Sequence, residues 1–115
     1  MTNRLSPITT HVLDTARGKP AAGIPVSLHL QSQGNWHELA RGITNEGGRI
    51  TDLLGDATLQ PGKYRLTFQT GIYLSSFGFP FFPEVGIVFE IHDPAQHYHV
   101  PLLLSPYGYS TYRGS

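Results

Sequence analysis

The residues best suited to chemistry gather near the end of the chain, where His97-Tyr98-His99-Val100-Pro101 is followed by Tyr112-Arg113-Gly114-Ser115. Imidazole changes protonation state near neutral pH and can serve as a general base, while a guanidinium offers a planar fork of donors to carbonyl and developing oxyanion oxygens. Strand alternation puts His97, His99, Pro101 and Leu103 on one face and Tyr98, Val100, Leu102 and Leu104 on the other. The second set is core, so the first presents two imidazoles to something else. His97 directly follows the connection His92-Asp93-Pro94-Ala95-Gln96 and is expected at an exposed strand entrance. His99 is deeper, flanked by Pro101 and Leu103, where partial desolvation would lower its pKa and keep it neutral. His99 is therefore favoured as the base, with His97 left open.

Two further candidates come from upstream. His11 has one apolar neighbour on each face and reads either as a solvent-facing histidine or as the partner of a second imidazole, which His99 would supply. Arg49 stands beside the turn Asn45-Glu46-Gly47-Gly48, as an ordinary exposed arginine or as a donor fork. In the terminal segment, a Ser110/Tyr112 face beside His99 would form a wall, with Arg113 and the Ser115 carboxylate supporting Tyr112 from behind. Six histidines invite a metal site, but His97-x-His99 lacks a third ligand and any thiolate, so no metal is expected. With no cysteine and no serine in a nucleophile motif, an acyl-enzyme route is disfavoured.

Positioning these groups falls to strands. Ile24, Val26, Leu28 and Leu30 alternate with polar residues, as do Tyr64, Leu66 and Phe68, and Val85, Ile87, Phe89 and Ile91 share one face. Strands are expected near 7–14, 24–32, 36–43, 49–51, 62–70, 85–92, 97–105 and 108–114, separated by turns such as Arg17-Gly18-Lys19-Pro20 and Gln60-Pro61-Gly62. Thirteen glycines and nine prolines argue against long helices, with one short helix possible over 71–78. The reading is all-β, a two-sheet sandwich in one domain over residues 1–115. Phe77-Gly78-Phe79-Pro80-Phe81-Phe82-Pro83 is expected as a packed loop covering it.

Eight basic and eight acidic side chains balance, so no nucleic-acid or anionic membrane partner is expected. Sparse charge suits a chain that buries surface in an oligomer. Without a signal-peptide core or a long apolar run, the expected location is the cytoplasm, or the periplasm if a leader was trimmed.

The stretch Pro7-Ile8-Thr9-Thr10-His11-Val12-Leu13-Asp14-Thr15-Ala16-Arg17-Gly18-Lys19-Pro20-Ala21, together with terminal Tyr112-Arg113-Gly114-Ser115, resembles the 5-hydroxyisourate hydrolase family, the transthyretin-related proteins. The form Val-Leu-Asp-x-x-x-Gly-x-Pro-Ala also occurs in transthyretin, whereas Tyr-Arg-Gly-Ser behind a His-Tyr-His strand separates enzymes from carriers. The resemblance implies a transthyretin-like eight-stranded sandwich, assembled as a homotetramer, a dimer of dimers with active sites in the channel between dimers. It further implies hydrolysis of 5-hydroxyisourate, a purine-derived small molecule, to 2-oxo-4-hydroxy-4-carboxy-5-ureidoimidazoline in urate degradation, without a cofactor. Carried over by motif, His11, Arg49, His99 and Ser115 are implied as catalytic, and Tyr112 and Arg113, with His11 and Arg49, as substrate-binding. The alternative is a non-catalytic carrier of small aromatic ligands with the same architecture.

Overall fold

The computed structural model describes residues 6–55 and 57–115. Among the described residues nine strands form: β1 (Ile8–Asp14), β2 (Lys19–Pro20), β3 (Pro25–Ser32), β4 (Asn35–Ile43), β5 (Arg49–Ile50), β6 (Gly62–Phe68), β7 (Val85–Ile91), β8 (Tyr98–Ser105) and β9 (Gly108–Thr111). One helix, α1 (Thr70–Leu74), runs into a 3-10 turn at Ser75–Phe77, so helical structure starts one residue before the expected 71–78. The first sheet has the order β2-β1-β8-β9, with β5 also paired to β1, and the second has the order β4-β3-β6-β7. Alternation accounts for the layering. Ile8, Val12, Val100, Leu102 and Leu104 of the first sheet are buried with Val26, Leu28, Tyr64, Leu66, Phe68, Val85 and Ile91 of the second. This is the expected transthyretin-like sandwich, with one two-residue strand more than the eight foreseen because Lys19 and Pro20 pair with Asp14 and Leu13.

The pairing between β1 and β8 joins the two ends of the chain. It is parallel, with Ile8 beside Tyr98, Thr9 beside His99 and His11 beside Pro101. The second sheet forms part of the crossover between them, since a parallel neighbour cannot be reached by a tight turn. β1 then ends at Asp14, a buried carboxylate that accepts from the Arg17 amide at 3.0 Å and the Tyr73 hydroxyl at 2.7 Å. Burial, then the Asp14 bond, pushes the Tyr73 phenol up to about 12, so it remains the donor that ties α1 to the strand end.

The last strand leaves its ladder earlier than the expected 114. It pairs as far as Leu102 with Thr111, and contact resumes only where Gly114 bridges His99. The interruption lies opposite Pro101, which has no amide proton to give. Its carbonyl, moreover, is taken by the Thr111 hydroxyl at 2.7 Å. A second departure concerns the aromatic loop, which packs at its two ends, Phe77 against Tyr73 and beneath Arg17, and Phe82 edge-on to Phe81 and Tyr109. Phe79 and Phe81 stay 67% and 57% exposed, so the segment covers little. The reading of the N-terminus as lacking a leader core falls, for residues 1–5, outside the described residues. Among the described residues no helix is long and apolar enough to cross a membrane.

Arg49 reaches β1 through a tightly built turn. The Asn45 side chain accepts from the Gly47 and Arg49 amides at 2.9 and 3.0 Å, and the Val12 amide donates to the Gly48 carbonyl at 2.7 Å. Gly48 has φ +73°, and a Cβ there would sit 2.5 Å from the Val12 carbonyl oxygen. Neither the dihedral nor the space admits a side chain. We therefore expect Gly48→Ala to destabilise the fold by at least about 1–3 kcal/mol, the usual cost of a left-handed non-glycine residue. Denaturant unfolding measures this, and an unchanged midpoint would show that the turn tolerates a Cβ after all.

Candidate active site

Strand register assembles the site in one row across the outer face of the first sheet. Arg49 on β5 is the direct partner of His11 on β1, Thr9 two residues earlier on β1 is the partner of His99 on β8, and His99 in turn bridges Gly114. Residues two apart on β1 share a face, so Thr9 and His11 stand side by side. His11 and His99 are half-buried and His97 and Arg49 exposed, while Thr9 is only 3% exposed.

Thr9 is the residue that reading the sequence missed. Its hydroxyl lies 2.8 Å from Nδ1 of His99 and 3.0 Å from Nε2 of His97, joining the two imidazoles whose roles alternation alone could not separate. The available signal was positional: Thr9 shares the His11 face, and a threonine between two ring-bearing positions can carry a hydrogen bond as well as favour a strand. Gly114 is the second surprise. Its amide donates to the His99 carbonyl at 2.8 Å, and a Cβ at this position would be 2.6 Å from Cδ2 of the His99 ring. The glycine of the terminal tetrapeptide thus lets the chain lie against the imidazole.

Other expected residues are placed differently. Tyr112 falls at the register position opposite Pro101, between the Thr111 and Gly114 pairings, and is 57% exposed. Arg113 turns to the opposite side, where it stacks over the Tyr98 ring at 4.5 Å and donates to Gln96 Oε1 at 2.8 Å and the His97 carbonyl at 3.3 Å. There it fastens the terminal segment to the entrance of β8 and does not meet the imidazoles. Ser115 is exposed at the end of this segment.

Both half-buried histidines are tuned toward neutrality. Burial first, then the Arg49 cation, hold His11 below the ordinary 6.5, with a backbone contact to Gly47 acting weakly against them. The same order applies to His99, where His11 and His97 add to the effect of burial and Arg49. At pH 7 the row therefore offers neutral imidazoles beside a guanidinium, which suits activation of a water and stabilisation of an oxyanion. Among the described residues no group of three or more histidine, cysteine or acidic side chains is placed to hold a metal ion. The row stands on an open sheet face. A cavity of about 470 Å³ lies by the β7 and β9 edges, bordered by Glu90, Gln96, Tyr98, Tyr112 and Arg113, so two of the expected substrate-binding residues line it.

Residues 8–114 match the HIUase/Transthyretin family. A mouse protein named 5-hydroxyisourate hydrolase is 47% identical over 118 residues, covering all of both chains. Among solved structures, sea bream transthyretin in complex with thyroxine superposes with a TM-score of 0.88 at 31% identity, covering 95% of each chain. Klebsiella pneumoniae 5-hydroxyisourate hydrolase superposes at 0.82 with 39% identity, covering 94% of this chain and 97% of that one. Backbone likeness and sequence likeness thus rank the two in opposite order.

The geometry makes the two half-buried imidazoles testable. Histidine titration followed by NMR should give midpoints below 6.5 for His11 and His99, and Arg49→Gln should raise both without abolishing the depression, because burial is the larger cause. Unfolded imidazoles bind protons more readily than these folded ones, so the stability they contribute is present above about 6.5 and is lost as pH falls through the folded values. Midpoints unmoved by Arg49→Gln would remove the guanidinium from this field. Separately, Gly114→Ala should push the His99 ring off Thr9 with little change in thermal midpoint, because the position lies beyond the β9 ladder, which stops at Thr111. An unchanged His99 NMR spectrum would contradict that contact.

Proposed function

The chain belongs to the HIUase/Transthyretin family, and from that premise we propose that it is a cyclic amide hydrolase converting 5-hydroxyisourate to 2-oxo-4-hydroxy-4-carboxy-5-ureidoimidazoline. The architecture does not decide this, since a hormone-binding relative shares it as closely as a hydrolase does. The observation that carries the reading is the row itself: two imidazoles held neutral beside a guanidinium on one exposed face. A carrier of aromatic ligands would be served by apolar or small residues there. Charged and titratable groups at such a density on a binding face are better explained by proton transfer.

In the proposed reaction a water between His99 and His11 loses its proton to His99 as it attacks the ring carbonyl. Arg49 stabilises the negative charge that develops on the carbonyl oxygen. The carbon–nitrogen bond of the cyclic amide breaks, His99 returns the proton to the leaving nitrogen, and the carbonyl carbon becomes the carboxyl group of the product. Tyr112 and Ser115 orient the ring. Arg113 contributes indirectly by anchoring the segment that bears them.

An open face supplies one wall of a site. The second wall is best supplied by another copy of the chain, and a homotetramer built as a dimer of dimers would set two such faces across a channel. Low charge density supports association of this kind, and the substrate places the enzyme in purine degradation, within the breakdown of urate.

The deciding experiment follows the decay of freshly generated 5-hydroxyisourate by ultraviolet absorbance, with the wild type beside His99→Ala and Arg49→Ala. Wild type should outpace the spontaneous reaction. Each variant should lose at least about a hundredfold in rate, or about 2.7 kcal/mol of transition-state stabilisation at 1.36 kcal/mol per tenfold. A wild-type protein no faster than spontaneous decay would leave the carrier reading in its place.

A further inference from the structure

Resting on the hydrolase reading, the geometry points to Thr9 as the positioning residue that sets the tautomer of His99, with His97 as the acceptor that completes the arrangement. Thr9 has a single hydroxyl proton and lies within hydrogen-bond distance of two ring nitrogens, Nδ1 of His99 and Nε2 of His97. With both rings neutral, both contacts satisfied and the threonine proton used within the bridge, two arrangements of the protons exist. In the first, His99 donates from Nδ1 to the threonine oxygen, and the threonine donates to His97. That leaves a lone pair on Nε2 of His99. In the second, every bond is reversed, so that His97 donates to Thr9, Thr9 donates to Nδ1 of His99, and Nε2 carries a proton. Only the first gives a base.

The Arg49 cation selects it, and two further features leave the ring placed to use it. Nε2 is the His99 ring nitrogen without a hydrogen-bond partner among the described residues, so it is the one free to meet water or substrate. The Arg49 cation favours a lone pair over an N–H on a ring nitrogen turned toward the site. Gly114, having no side chain, leaves the room against the ring that lets Nδ1 lie on Thr9. Once His99 takes the proton of water at Nε2, its Nδ1 proton is already donated to Thr9, and nothing in the bridge needs to turn. The proton enters and leaves at Nε2, while those at Nδ1 and on Thr9 stay in place. His97 stands outside the substrate site in this scheme and acts through Thr9.

The arrangement is tested with Thr9→Val, which keeps the volume and the strand preference, Thr9→Ser, which keeps the hydroxyl, His97→Ala, and the double variant of Thr9→Val with His97→Ala. Thr9→Val should lower kcat by about tenfold to a hundredfold, the range typical for loss of a group orienting a functional histidine, with KM and thermal midpoint little changed. Thr9→Ser should restore most of it. Because both residues act on one nitrogen, the double variant should lose no more than the worse single. Nitrogen-15 NMR of histidine-labelled protein gives a readout independent of turnover: His99 should be protonated at Nδ1 in wild type and lose that preference in Thr9→Val. Wild-type kcat in Thr9→Val, additive losses in the double variant, or a His99 already protonated at Nε2 in wild type would each overturn the proposal. A wild type inactive on 5-hydroxyisourate would instead overturn the hydrolase reading, and the nitrogen spectrum would still decide the bridge.

Discussion

The parallel seam between β1 and β8 is the constraint on which the rest depends. It sets residues ninety positions apart in register, Thr9 with His99. Chain length is not the obstacle it suggests, because closure entropy grows only by about 0.6 kcal/mol for each doubling of a loop. Burial of the inner faces offsets it many times over: Ile8, Val12, Leu102 and Leu104 are fully buried along the seam, each worth about 1.5–3 kcal/mol. The register is held as firmly as the pairing. Thr10 donates to the Val100 carbonyl at 2.6 Å in a fully buried bond, and Thr15 donates to that of Leu104 at 3.1 Å. A slip of one residue in β8 would carry His99 into the core and Val100 out to the site. The apolar pattern of the inner face therefore determines where the imidazoles stand.

What alternation supplies is a face, and what it cannot supply is a neighbour. The run from Tyr98 to Leu104 declares its core residues without help, and the strand positions come within a few residues from the turns. That His99 lies beside Thr9, and His11 beside Arg49, depends on which strands meet across a crossover that includes the second sheet. Nothing local encodes that choice. Thr9 is inconspicuous in the sequence for this reason, since its burial arises from neighbours contributed by the other end of the chain. The early end of β9 was legible in principle, because Pro101 has no proton for the ladder. Its partner Tyr112 could be named only once β8 and β9 were known to pair. The side taken by Arg113 was legible too, since the residue alternates with Tyr112 and must point away from it.

The terminal tetrapeptide divides its work in a way its composition hides. Tyr112 stands exposed, Arg113 grips Tyr98 and Gln96, and Gly114 contributes by having no side chain. A segment after a broken ladder would ordinarily fray. Here the stack on Tyr98, the bond to Gln96 and the Gly114 amide on the His99 carbonyl replace the strand bonds that Pro101 withholds.

Pairing a histidine with a hydroxyl has a different electrostatic consequence from pairing it with a carboxylate. A carboxylate fixes the tautomer but also stabilises the imidazolium, which raises the pKa and favours the charged ring. Thr9 can orient His99 without adding charge, and with Arg49 across the adjacent strand the balance moves the other way, toward a ring that is neutral at rest. Such a base is a weaker proton acceptor than a carboxylate-supported one, but it is in the correct protonation state over more of the neutral range. In the proposed reaction the cost falls on the intermediate, when His99 is charged close to Arg49. Negative charge developing on the substrate oxygen at the same moment offsets that repulsion, so the arrangement is least favourable empty and protonated and most favourable with the oxyanion present. A site whose cations are reconciled only by the reacting state stabilises that state preferentially, which is the condition for catalysis as distinct from binding.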